Sequence, residues 1–308
     1  MLLGGCAGVQ STFSTFGTEA EALRALGGGM FAAAALITLG VLALAWHAVR
    51  TDEGLDFHGG LRIVLWLGAI VPTLLLTALL VVSLPRMEPL SAAEDGVEIA
   101  VDGEQFWWRV SYRSGAGAGV ETANEIRIPA GRAVTFELES PDVIHSFWIP
   151  GLAGKLDMIP GRTNVLTVLA TRVGSFRGAC AEFCGLSHAN MAFDVIALEP
   201  DDFDRWLARL ARPAAAVTGD GRRLFDEYGC PACHVVRGHH PGTPIGPDLT
   251  HFGSRVSFAA GTLPLEIGAV SAFLRDPAAR KPGVRMPSFV DMPERDANAI
   301  AAYLLELR

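Results

Sequence analysis

Two stretches of this chain contain no Asp, Glu, Lys or Arg: residues 25–49 and residues 63–84. Each exceeds the roughly 20 apolar residues that a helix needs to cross a bilayer. Only the polar segment 50–62 separates them, so residues 25–85 read as a transmembrane hairpin, with spans at about 28–49 and 62–84. Pro72 falls inside the second span, where a helix tolerates a proline. Half of the residues are hydrophobic and the mean hydropathy is +0.32, which agrees with membrane insertion. The net charge is -8 and no basic stripe occurs, so a lipid bilayer is an expected partner and nucleic acid is not.

Cysteine arithmetic points to metals rather than disulfides. Five cysteines are present: Cys6, Cys180, Cys184, Cys230 and Cys233. Leu3-Gly-Gly-Cys6 resembles a bacterial lipoprotein processing box, so Cys6 is a candidate for lipidation. Cys230-Pro-Ala-Cys-His234 has the C-x-x-C-H form of covalent c-type haem attachment, with Cys230 and Cys233 as thioethers and His234 on the iron. Met286, in Lys281-Pro-Gly-Val-Arg-Met-Pro287, is the expected sixth ligand, and Met292 is its competitor. Covalent haem c forms outside the bacterial cytoplasmic membrane. An even number of spans then places both termini and both cofactor domains on the periplasmic side.

Cys180-Ala-Glu-Phe-Cys-Gly-Leu-Ser-His-Ala-Asn-Met191 packs Cys180, Cys184, His188 and Met191 into twelve residues. Thiolate, imidazole and thioether together suit copper, whereas a thioether is a poor zinc ligand. A mononuclear electron-transfer copper needs one cysteine; a second suggests two coppers bridged by sulfur. The remaining terminal ligand is expected from His145, in Asp142-Val-Ile-His-Ser-Phe-Trp-Ile149.

Around these motifs the pattern divides the chain. Residues 1–24 read as an N-terminal tail. Short runs at 97–101, 106–112, 125–129, 133–138, 143–149, 164–169 and 192–198 alternate or are rich in β-branched and aromatic residues, which predicts an all-β sandwich or barrel over 86–200. The copper motif falls between its last two strands. Residues 201–218 read as a short helix and a linker. Residues 219–308 read as a helical haem domain, with helices near 221–228 and 296–307, the second burying Ala297, Ile300, Ala301 and Leu304.

The copper loop, the strand at 142–150, Lys155-Leu-Asp-Met-Ile-Pro-Gly-Arg162 and the hairpin together resemble subunit II of haem-copper cytochrome c oxidase. The fused haem domain resembles the caa3-type branch. The resemblance covers about residues 25–308. It implies a cupredoxin-like Greek-key sandwich and an all-α class I cytochrome c domain. It also implies a dinuclear copper A centre held by His145, Cys180, Cys184, His188, Met191 and the backbone carbonyl of Glu182. The Glu182 side chain would help hold magnesium shared with subunit I. Electrons would pass from cytochrome c or a quinol:cytochrome c reductase through haem c and copper A to haem a of subunit I.

Two departures from the family pattern stand out. Gln105-Phe-Trp-Trp108 has Phe106 where the family often has the Trp that accepts electrons from soluble cytochrome c; Trp107 or Trp108 would substitute, or the fused haem makes that residue dispensable. Gly59-Gly-Leu-Arg-Ile63 lacks the Glu that often marks a proton path, with Glu53 and Asp56 as stand-ins. Two other functions remain open from sequence: the copper A subunit of a nitric oxide reductase, and a copper-binding assembly protein.

Overall fold

The computed structural model describes residues 8–51, 54, 56–87, 90, 96–113 and 119–308. Cys6 and Glu53 lie outside the described residues. Residues 22–90 form one compact unit, and the chain on either side of them forms another.

The membrane unit is helical. α1 (Thr18–Arg50) is 33 residues long, about 50 Å at 1.5 Å per residue. The second apolar helix, Phe57–Ser83, is 27 residues. Both exceed the ~30 Å hydrocarbon thickness, and their apolar side chains face outward, as lipid requires. The second begins as α2 (Phe57–Leu65), capped by Asp56 Oδ1, which accepts from the Gly59 amide at 2.9 Å. A π-helical turn at Trp66–Ile70 then leads into α3 (Val71–Ser83), where Pro72 cannot donate to the helical ladder. Thr73 and Thr77 donate their hydroxyls to carbonyls one turn back, at 2.7 and 2.8 Å, so no side-chain donor faces lipid unbonded there.

The N-terminal tail expected over 1–24 is not a tail throughout. α1 starts at Thr18, with Glu19 and Glu21 in its first turn, where acidic groups complement the helix dipole. Ahead of it, Phe16 is wholly buried and stacks on Phe176. Its amide donates to Gly151 O at 2.7 Å and its carbonyl accepts from Thr171 N at 2.6 Å.

The sandwich comprises two five-stranded sheets. One runs β3 (Val120–Ala123), β2 (Trp107–Tyr112), β1 (Val97–Glu104), β5 (Ala133–Glu139), β8 (Asn164–Leu169). The other runs β4 (Glu125–Pro129), β10 (Ala192–Leu198), β9 (Gly174–Cys180), β6 (His145–Trp148), β7 (Leu156–Met158). Alternate residues point inward, and Trp108, Phe147 and Phe193 meet in the core with ring centroids 4.9–5.8 Å apart. α4 (Pro200–Leu210) closes one end through Phe203, Trp206, Leu207 and Leu210.

The haem domain has its own apolar cluster. α5 (Asp220–Glu227), α6 (Ile267–Arg275) and α8 (Glu294–Glu306) pack together, with a one-turn α7 (Pro277–Arg280) between the last two. Ala297, Ile300, Ala301 and Leu304 form the buried face of α8, as the sequence periodicity predicts. α6 lies within the Gly- and Pro-rich stretch 238–287. The segment between α4 and α5 packs rather than dangles: Ala214 and Val217 are buried, and Ala214 N donates to Arg237 O at 2.8 Å.

Candidate metal centre and haem pocket

β9 ends at Cys180 and β10 begins at Ala192, so the twelve-residue motif is the loop joining two neighbouring strands. Cys180 N donates to Met191 O at 2.9 Å and closes the loop at its base. β6 lies on the other side of β9, with Phe147 opposite Cys180, and this register delivers His145 to the same spot.

The donor atoms converge. Cys180 Sγ lies 3.8 Å from Cys184 Sγ and 3.8 Å from His145 Nδ1. Cys184 Sγ lies 3.7 Å from His188 Nδ1 and 3.8 Å from Met191 Sδ. The Glu182 carbonyl is 3.1 Å from Cys180 Sγ. Two sulfurs therefore sit at the centre, with an imidazole beside each, a thioether beside one and a carbonyl beside the other. That set of soft and borderline donors fits a copper pair bridged by two thiolates.

The surroundings prepare this set. The hydrogen bond between the two thiols holds Cys180 well below its ordinary pKa and drives Cys184 up, so the pair shares a proton that metal binding displaces. Asp142 Oδ1 meets His145 Nε2 at 2.9 Å, which leaves Nδ1 turned to the sulfur. Burial pushes His145 down, but its bonds to Cys180 and Asp142 outweigh this and leave it raised. Gly103 backs the His145 ring closely: a Cβ there would lie 3.0 Å from it, so a larger residue would have to push the ring aside.

Neither Asp142 nor Gln105 stands out in the sequence as part of the centre. Gln105 Nε2 donates to the Cys184 carbonyl at 2.6 Å, and Gln105 N donates to Asp142 Oδ2 at 2.8 Å. The Glu182 carboxylate is 46% exposed and lies 3.7 Å from Lys155 Nζ. Of the three aromatic relay candidates, Trp108 is fully buried in the sandwich core, whereas Phe106 and Trp107 line the haem cavity.

The second site is an apolar cavity lined by Cys230, Cys233, His234 and Met286. Gly229, at φ 73°, turns the chain into the short 3-10 turn Cys230–Ala232. His234 Nδ1 donates to Pro247 O at 2.8 Å, leaving Nε2 as the free ligand nitrogen. Burial lowers the His234 pKa, which keeps the imidazole neutral. Met292 is buried elsewhere in the helical core and does not line the cavity. Two thiols, a neutral oriented imidazole and a thioether around an apolar cavity fit a covalently held haem. The other histidines of the haem domain find ordinary partners: His239 bonds Tyr303 Oη at 3.0 Å, His240 pairs with Asp226 at 2.9 Å and His251 bonds Arg212 O at 3.0 Å.

Residues 109–198 match the family model of the cytochrome c oxidase subunit II periplasmic domain, and residues 219–308 match that of cytochrome c. The chain is 32% identical over 253 residues to cytochrome c oxidase subunit 2 of Bacillus subtilis, covering 78% of this chain and 70% of that one. This chain belongs to the cytochrome c oxidase subunit II family. The Bacillus sp. PS3 subunit 2 is 32% identical over 267 residues, 80% of this chain and 72% of that one. The Alkalihalophilus pseudofirmus subunit 2 is 42% identical over 219 residues, 70% of this chain and 62% of that protein. Membership makes the chain a subunit of an oxidase with a copper A domain and a cytochrome c domain, anchored by two apolar helices.

Proposed function

We propose that this chain is the subunit through which electrons reach a terminal oxidase. They would come from cytochrome c or a quinol:cytochrome c reductase through haem c and copper A to haem a of subunit I, for oxygen reduction coupled to proton pumping. One observation carries the reading: the sulfur-centred donor set and the haem cavity lie in one compact unit, joined by direct hydrogen bonds. Ser187, inside the copper loop, donates to Pro282 O at 2.6 Å, four residues before Met286.

When bound, copper A and haem c supply reversible one-electron carriers. The residues of this chain do the rest. The Cys180 and Cys184 thiolates, His145, His188, Met191 and the Glu182 carbonyl would together hold the copper pair. Asp142 holds the His145 ring in orientation. Cys230 and Cys233 would fix the haem covalently, and His234 and Met286 would hold its iron. A rigid strand pair beneath the copper loop limits ligand movement between redox states, which keeps the reorganisation cost low. The Glu182 carboxylate is the group available to magnesium at the contact with subunit I. Covalent haem attachment, which takes place outside the bacterial cytoplasmic membrane, supports a periplasmic position for both cofactor domains.

The test is anaerobic stopped-flow reduction of the purified, copper-loaded chain by reduced soluble cytochrome c. The haem c band is expected to change first and the copper A band second, at a rate independent of donor concentration. Reduction of copper ahead of haem would overturn the proposed order.

A further inference from the structure

The helical domain alone does not close the haem cavity. Gln105, Phe106 and Trp107, from the β1–β2 turn of the sandwich, form part of its wall. Phe106 is only 4% exposed. Phe106 is therefore buried, while Gln105 and Trp107 on either side of it are half-buried along the same wall.

The same stretch holds the copper loop. Gln105 donates through its side chain to the Cys184 carbonyl at 2.6 Å and through its backbone to Asp142 Oδ2 at 2.8 Å. Asp142 in turn orients His145 at 2.9 Å. From the other side, the loop bearing Met286 reaches the same groups: Arg285 Nη2 lies 3.2 Å from Asp142 Oδ2. Gly283 packs so tightly that a Cβ would lie 3.2 Å from Phe106 and from Leu186.

We propose that the haem site of this chain is composite, completed by Gln105, Phe106 and Trp107, and that Gln105 is the positioning residue coupling it to the copper loop. The proposal rests on the electron-transfer reading above. The step it would serve is a single-electron transfer between the two sites, in which no bond forms or breaks. Tunnelling through bonded atoms decays more slowly than through space. Gln105 offers one side chain and one hydrogen bond between the cavity wall and the Cys184 backbone.

Two variants of the full, haem-matured chain in detergent test this. Trp107→Ala opens the wall. It is expected to lower the haem midpoint potential and to speed haem reduction by ascorbate, with copper absent as well as present, because solvent reaches the haem. An unchanged potential and an unchanged reduction rate would overturn the composite pocket. Gln105→Leu keeps the bulk but removes the donor to Cys184. It is expected to keep copper content and the copper A absorption band while slowing photo-initiated haem-to-copper transfer about tenfold. A transfer rate within about twofold of the parent with copper intact would overturn the coupling role. Loss of copper would overturn it too, assigning Gln105 to loop assembly. If the parent chain holds haem but no copper, the functional reading fails, while the Trp107→Ala measurements still decide the pocket.

Discussion

Cys184 touches three prospective ligand atoms at once: Cys180 Sγ, His188 Nδ1 and Met191 Sδ, at 3.7–3.8 Å. Cys184→Ser removes one of the two central sulfurs of the proposed copper site. Copper content by atomic emission is expected to fall from two per chain to one or none, and retention of two would contradict the bridging role. Lys281 is a different residue-scale case. It is 3% exposed, and its ammonium bonds Ala259 O at 3.1 Å. Burial pushes its pKa down to about 7, partly offset by Cys184. The unfolded chain holds that proton up to about pH 10, so between pH 7 and 10 the unfolded state binds more protons and stability rises with pH. Lys281→Met is expected to flatten that rise in urea denaturation; an unaltered slope would contradict the buried ammonium. The copper loop is legible in sequence because four donors crowd into twelve residues. Asp142 and Gln105 are not, because their roles are hydrogen bonds that exist only after β1, β6 and the loop have met.

Helices with strong periodicity read clearly, and α8 is the best case. Ile300 is fully buried on its inner face. Ile300→Ala is expected to destabilise the haem domain by about 2–5 kcal/mol, measured by denaturant unfolding followed at the haem band. A loss below 1 kcal/mol would mean that the face is not packed as described. β9 escaped the sequence reading because Gly174-Ser-Phe-Arg-Gly-Ala-Cys180 is too rich in small residues to look like a strand. Its glycine has a tertiary reason: the Phe193 ring lies over Gly178, where a Cβ would come within 2.1 Å. α6 escaped because flanking Gly and Pro mask a helix of only nine residues. β7, with three residues, is too short to carry a period.

Across the whole molecule, the haem domain is held to the sandwich by a belt of polar contacts. Val256 N donates to Glu125 Oε2 at 2.8 Å, Arg177 Nη1 to Gly261 O at 2.6 Å and Ala192 N to Ala260 O at 3.1 Å. Ser257 also bonds Asp194. Glu125 is almost fully buried, so Glu125→Ala strands the Val256 amide and frees Arg127, a loss of about 1–3 kcal/mol. Limited proteolysis between residues 211 and 219 is expected to accelerate several-fold in this variant; an unchanged cleavage rate would show that the belt does not hold the domains together. None of these contacts is legible in sequence, because they join residues more than 60 positions apart. The account stands on both cofactor sites belonging to one chain, and metal and haem counts with electron paramagnetic resonance on the full chain test that directly. Two coppers per chain, sharing one unpaired electron, together with one covalent haem are predicted. A single copper, zinc in its place, or haem that an acid–acetone extraction removes would contradict it.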